Sequence, residues 1–230
     1  MPSVQRPLIL VVAALSYELE GLKRSAHPEL DLLETGEGTA NAERHLEHWF
    51  DRNRARAVLS IGFAGALSSA LQPGDLVIAR EIRDSATTPD AGLLSASEQL
   101  RLEVPVHFGA AITANEILWR AVSKQELARS LRKNEVGFVD MESTAVARIC
   151  AKHGVPFLIT RSITDLLDED LPLDFNQYRS EDGRVDRGKV MKAAMFKPSA
   201  VKGLLELRRR SRLCSERMAK FVEELVPLIP

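Results

Sequence analysis

An unbroken apolar run, Leu8-Ile9-Leu10-Val11-Val12-Ala13, constrains this chain more than any other feature. It has no polar alternation and so no face for water. That pattern reads as a strand buried on both sides, in a largely parallel sheet covered by helices. The following residues repeat the alternation of strand and helix. Ser16 is placed to cap a helix carrying Leu19 and Leu22, which ends before His27-Pro28. Residues 30–34 read as a second strand, and Gly36-Glu37-Gly38 as a turn into a helix with Ala42, His45, Leu46 and Trp49 at helical spacing. Residues 57–61 form a third buried strand, broken by Gly62-Phe63-Ala64-Gly65, and Gly74-Asp75 leads into a fourth at 76–79.

The stretch 84–104 is rich in Ser, Thr and Ala with weak periodicity, and reads as loop and edge structure. A strand at 109–113 and a helix at 119–131 follow. Residues 136–139 form a short strand ending at the charged Asp140, and 143–153 a helix stopped by Gly154. Residues 155–160 return as a strand, and a helical region of about 187–226 closes the chain. Alternating strands and helices predict a three-layer α/β sandwich. With no repeat or linker, we expect one domain over residues 1–230 with a C-terminal helical extension.

Composition matters chiefly for what it excludes. In 230 residues, 45% hydrophobic and 27% charged, there is material for one large core. The formal net charge of -1 supplies no global field toward nucleic acid or an anionic membrane, so recognition must be local. Cys150 and Cys214 lie far apart in sequence, and Cys150, beside Ala147, Ile149 and Ala151, is expected as a small buried hydrophobe. The histidines, including the His45/His48 pair, show no ligand spacing, so neither a metal nor another cofactor is expected. Arg6 precedes a short apolar run followed at once by Glu18 and Glu20, with no cleavage site, which reads as a cytoplasmic chain.

Three carboxylates fall just past predicted strand ends, where open α/β sheets place their ligands: Glu18, Glu142 and Asp165. Singly, each has an ordinary reading as a helix cap or solvated turn residue. Three on one rim point to acid–base chemistry.

The blocks around them carry a resemblance. Ala14-Leu15-Ser16-Tyr17-Glu18, Ile61-Gly62-Phe63-Ala64-Gly65-Ala66, Gly74-Asp75-Leu76-Val77, Asp140-Met141-Glu142-Ser143 and Arg161-Ser162-Ile163-Thr164-Asp165 resemble, in order and spacing, the nucleoside phosphorylase/nucleosidase superfamily. They are most similar to its methylthioadenosine/S-adenosylhomocysteine nucleosidases. The resemblance implies an α/β/α sandwich around a mixed central sheet and cleavage of a purine nucleoside. Glu142 matches the family's ribose-binding glutamate, with Met141 beneath the sugar. A carboxylate accepts both ribose hydroxyl protons with charge-assisted strength. It also sits where positive charge develops on the ribose. Asp165 matches the aspartate that protonates the purine at N7. Ala64-Gly65 matches the loop passing close to the nucleoside. Phe63 stands where relatives often carry a small hydroxyl residue. Gly36-Glu37-Gly38 resembles the family's second glycine turn and is expected to be structural.

Glu18 bears on the nucleophile. The family's phosphorylases hold phosphate at this place, and its nucleosidases orient water with a glutamate. An anionic side chain repels phosphate, so Glu18 favours hydrolysis. For a phosphate-dependent alternative, Arg161 or Arg80 would have to supply the anion site. A non-catalytic nucleoside-binding protein would need Glu142 but not Asp165.

Leu171-Pro172, Asp182-Gly183-Arg184-Val185-Asp186, Lys197-Pro198 and the helix at 204–225 resemble the hopanoid-associated branch, which implies removal of adenine from adenosylhopane. Ile117 falls where the methylthioadenosine nucleosidases stack an aromatic residue on the base. A lipid tail would need an apolar exit, which the last helix is placed to line, with Arg208-Arg209-Arg210 and Arg212 toward lipid headgroups. The ordinary reading is a solvated helix face, with several of Leu204, Leu205, Leu207 and Leu213 packing on the core. The resemblance also implies a homodimer.

Overall fold

The computed structural model describes residues 8–25, 27–83, 85–180, 183–195 and 197–229. Arg6, Pro7, Asp84 and Asp182 lie outside the described residues. Strands β1 (Leu8–Ala13), β2 (Leu30–Glu34), β3 (Ala55–Ala66), β4 (Leu76–Ile82), β5 (Val106–Thr113), β6 (Gly137–Asp140) and β7 (Phe157–Asp165) form one mixed seven-stranded sheet. Its helices are α1 (Glu20–Ser25), α2 (Thr39–Phe50), α3 (Ala91–Glu98), α4 (Ala121–Ala128), α5 (Ser143–His153), α6 (Arg187–Met195) and α7 (Pro198–Leu225). This is the expected α/β architecture.

β1 shows why its sequence has no polar position. Leu10 and Val12 face one side, packing with Leu46, Trp49 and Phe50 of α2 and Val146 and Ile149 of α5. Ile9, Val11 and Ala13 face the other, against Leu22 of α1 and Met218, Phe221, Val222 and Leu225 of α7. At roughly 1.5–3 kcal/mol per buried aliphatic side chain, these two faces anchor the sheet between helix layers.

The sheet order is β2-β1-β3-β6-β5-β4-β7, with β3 also paired to β7. The strands from β3 to β7 therefore close on themselves. β3 makes this possible by pairing parallel to β1 and β7 along its length and antiparallel to β6 at Gly65 and Ala66. The break predicted at 62–65 does not occur. Gly62, Phe63 and Ala64 continue in register with β7, and a bulge then sets Gly65 opposite Asp165, where Gly65 and Ala66 also pair with β6.

Other boundaries also differ. The stretch assigned to loop contains α3, whose start is capped by Asp90 accepting from the Leu93 amide at 2.9 Å. β7 runs past Thr160 to Asp165, because the charge of Arg161 is neutralised inside the protein. The C-terminal helical stretch is two helices, α6 and α7. Ser16 heads a short 3₁₀ turn, Ser16–Glu18, rather than capping a helix. Cys150 and Cys214 are both buried and free. No described helix is long and apolar enough to cross a membrane.

Candidate active site

The carboxyl-terminal ends of β1, β3 and β7, with the turn after β6, meet at one cavity of about 1230 Å³. Glu18, Phe63, Ala64, Gly65, Met141, Glu142 and Asp165 all line it. The residues singled out from sequence therefore share one wall-to-wall space.

Glu18 is not a solvated turn residue, being 3% exposed. Its Oε2 accepts from the Leu15 amide at 2.7 Å and its Oε1 from the Phe63 amide at 2.8 Å. The backbone thus fixes both oxygens. Burial pushes the carboxyl up to about 7, against the lowering effect of those two amides and of Arg161. A β-carbon added at Gly62 would stand 3.1 Å from Oε1, so glycine leaves the room this carboxylate occupies. Phe63 contributes its amide here, and its ring lies 5.4 Å from that of Tyr17. Arg187 covers the Tyr17 ring at 4.7 Å.

Glu142 sits at the start of α5 but does not cap it. Its Oε1 accepts from the amide of Gly38 at 2.6 Å. The glycine turn is thus more than a structural hinge. Gly38 holds φ 93°, a conformation that favours glycine, and this aims its N–H at the carboxylate. Thr39 Oγ1 donates to the Met141 carbonyl at 3.1 Å and ties the same two segments together. Burial, followed by repulsion from Asp140, pushes the Glu142 carboxyl up to about 8.

Asp165, the last residue of β7, is 7% exposed. Its Oδ1 accepts from Thr164 Oγ1 at 3.0 Å and its Oδ2 from Lys124 Nζ at 2.6 Å. Gly65 faces it across the strand pair, where a β-carbon would meet Oδ2 at 3.0 Å.

The arginines considered for an anion site are elsewhere. Arg161 is buried beneath the site, pairing with Asp140 at 2.8 Å and donating to the Ser60 carbonyl at 3.0 Å. Arg80 stacks on Phe108 and pairs with Glu98. Neither lines the cavity. Each already has a carboxylate partner, which is the physical reason the phosphate-holding role fails for both.

The far side of the cavity is formed by α6 and α7. Val190, Met191, Leu204, Leu205 and Leu207 line it, and Arg208, Arg209 and Arg212 lie at its border. The expectation that Leu204, Leu205 and Leu207 pack on the core is therefore corrected. Residues 204–215 of α7 border the cavity, and its core contacts come mainly from Cys214 and from Met218 onward. Ile117 also lines the cavity, its backbone clamped by Asn176 through bonds of 3.0 and 2.9 Å.

Sequence reasoning missed Lys124, the Asp140–Arg161 pair and the whole contribution of α6. Lys124 carried one legible signal, lying three and four residues before Leu127 and Ala128 on the apolar face of its helix.

Comparison with known proteins adds independent findings. A family model described as the phosphorylase superfamily matches residues 29–195. A 5′-methylthioadenosine/S-adenosylhomocysteine nucleosidase of Exiguobacterium sp. is 26% identical over 169 residues, which span 64% of this chain and 72% of that protein. A protein of the same name from Shewanella pealeana is 24% identical over 198 residues, 76% of this chain and 84% of its own. Among solved structures, the Neisseria meningitidis 5′-methylthioadenosine/S-adenosylhomocysteine nucleosidase in complex with methylthio-immucillin-A superposes with a TM-score of 0.72 at 18% identity, covering 96% of this chain and 99% of that one. The native futalosine hydrolase of Helicobacter pylori does so at 0.71 and 16%, covering 96% and 97%. These two likenesses concern the fold.

Proposed function

This chain belongs to the phosphorylase superfamily, and on that premise we propose that it is a nucleosidase hydrolysing the N-glycosidic bond of a 5′-substituted adenosine to release adenine. The observation that carries this reading is the setting of Glu18. A carboxylate clasped by two backbone amides faces the cavity at the end of β1, where phosphate would be repelled and a water oriented. Glu18 then takes a proton from that water as it attacks C1′. Glu142 accepts the ribose hydroxyls and stabilises the positive charge that develops on the sugar. Met141 packs beneath the ribose. Asp165 passes a proton to N7, so that the purine leaves uncharged. Relatives named as 5′-methylthioadenosine/S-adenosylhomocysteine nucleosidases support this class of reaction.

For the 5′ substituent we favour a bulky apolar group of the adenosylhopane type. The cavity exceeds the roughly 300–1,000 Å³ usual for small-ligand sites, and Val190, Met191, Leu204, Leu205 and Leu207 provide a wall suited to hydrocarbon. At its border Arg208 suits an anionic lipid surface from which such a substrate would be drawn, while Arg209 and Arg212 are paired with Glu206 and Glu216. We further expect one domain and a homodimer acting in the cytoplasm. The test offers the protein adenosine, 5′-methylthioadenosine, S-adenosylhomocysteine and adenosylhopane and follows adenine. Preference for adenosylhopane supports the apolar reading. Preference for 5′-methylthioadenosine or S-adenosylhomocysteine would overturn it and leave the nucleosidase reading intact.

A further inference from the structure

Behind Asp165 sits a lysine with no exposure to solvent. Lys124 of α4 is 0% exposed, and its Nζ donates to Asp165 Oδ2 at 2.6 Å and to the Leu166 carbonyl. Its helix is otherwise apolar on this side, with Leu127 and Ala128 packed near Leu67, Ile112 and Val139. A charge is buried in such surroundings only beside a counter-charge. The consequence concerns the chemistry proposed above, on which this inference rests. Both oxygens of Asp165 are acceptors here, Oδ2 from the Lys124 ammonium and Oδ1 from Thr164 Oγ1, and a carboxylate so held has no proton of its own to give.

We propose that the proton delivered to the departing base is stored on Lys124 and reaches the base through Asp165. As the C1′–N9 bond breaks and its electron pair enters the purine, one proton leaves the Lys124 ammonium for the Asp165 carboxylate. Asp165 passes one proton to N7. The purine departs neutral, Asp165 remains a carboxylate and Lys124 is left as an amine. The attacking water gives its proton to Glu18 and its oxygen to C1′. Once the products leave, solvent removes the proton from Glu18 and restores the one on Lys124 by way of Asp165, which lines the cavity, so each turnover is balanced. Lys124 is thus a positioning residue and proton store acting through Asp165.

The electrostatics of the opposite wall fit this division. Glu18 works as a base only when ionised, and burial holds its carboxyl at about 7. A lysine store lets acid and base be present together. The charged groups around the pair are Glu169, matched with Arg210 of α7, and Asp170, which accepts from the Ala121 amide at the start of α4. Glu18 and Glu142 line the same cavity as Asp165.

The experiment measures kcat and KM for adenine release from adenosine, 5′-methylthioadenosine or adenosylhopane, whichever the wild type cleaves fastest, across pH. It compares wild type, Lys124→Met, Lys124→Gln, Asp165→Asn and the Lys124→Met/Asp165→Asn double variant, with melting curves to identify folded protein. Gln keeps a donor toward Asp165 without a transferable charge. The expected result is a kcat loss of about 100-fold for both Lys124 variants near pH 9, shrinking toward pH 6 as protons become available from solution, with KM changed by less than about threefold. The double variant is expected to be no slower than Asp165→Asn alone. A loss equal at every pH, recovery in Lys124→Gln or additive losses would overturn the role of Lys124. A wild type that releases no base from any of the three nucleosides would overturn the hydrolytic reading, and this inference with it.

Discussion

Replacing Glu18 by Gln should make the protein relatively more stable as pH rises, even as it removes the proposed base. Burial carries this carboxyl from 4.5 to about 7. The folded state therefore keeps a proton that the unfolded chain releases. Stability is withdrawn as pH climbs through that window, and nothing further is withdrawn above it. The gap corresponds to about 3 kcal/mol in full, and to about 2.5 kcal/mol between pH 5 and pH 9. Gln has one acceptor oxygen for the two amides of Leu15 and Phe63, which costs about 1–3 kcal/mol. That cost is an offset present at both pH values. Glu142 titrates in both proteins, and losing the repulsion of Glu18 lessens its rise in the variant, which adds to the difference in the same direction. For a chain of this size, 1 kcal/mol moves the melting temperature by about 2–4 °C. The melting difference, variant minus wild type, should thus grow by about 5–10 °C from pH 5 to pH 9. Thermal melts followed by circular dichroism measure it directly. A difference that is flat with pH, or that shrinks, would refute the burial argument.

Three further outcomes follow from the same geometry. Asp165→Asn, which keeps the shape and removes the acid, is expected to lower kcat by about 10²–10⁴-fold, while Glu142→Gln also raises KM; steady-state kinetics separate them, and near-normal activity in either would contradict the assigned roles. Gly65→Ala places a β-carbon where Asp165 Oδ2 stands 3.0 Å away, so turnover should fall sharply while the fold, read by circular dichroism, persists. Leu204→Asp puts a charge in the apolar wall, and kcat/KM for an apolar 5′-substituted adenosine should fall at least about tenfold more than for adenosine itself; equal losses would mean that this wall does not meet the 5′ group.

How much of this was legible in the sequence depends on how local each cause is. β1, β2 and α5 lie where their patterns put them, and Gly154 ends α5 at φ 64° as a left-handed stop should. Those elements are specified by their own residues. The three rim carboxylates were legible too, because strand ends and acidic residues are both visible locally. The continuation of β3 through Gly62–Gly65 was not, since glycines that look like a turn are retained there by two neighbouring strands. β7 was cut short for a related reason, because Arg161 reads as a surface charge until Asp140 is placed beside it. Helix α3 hid in a Ser/Ala-rich stretch with little periodicity, its one strong signal being Asp90 before Leu93. Lys124 shows the limit most plainly. Its partner Asp165 is 41 residues away, and only closure of the sheet and docking of α4 bring the two together.

The central claim, hydrolysis rather than phosphorolysis, comes down to one measurement: adenine release by purified protein in rigorously phosphate-free buffer, repeated with phosphate added. Hydrolysis predicts the same rate in both, with a free ribosyl product, because Glu18 occupies the place of the nucleophile's partner with negative charge. Release that appears only when phosphate is present, with the sugar recovered as its 1-phosphate, would contradict it.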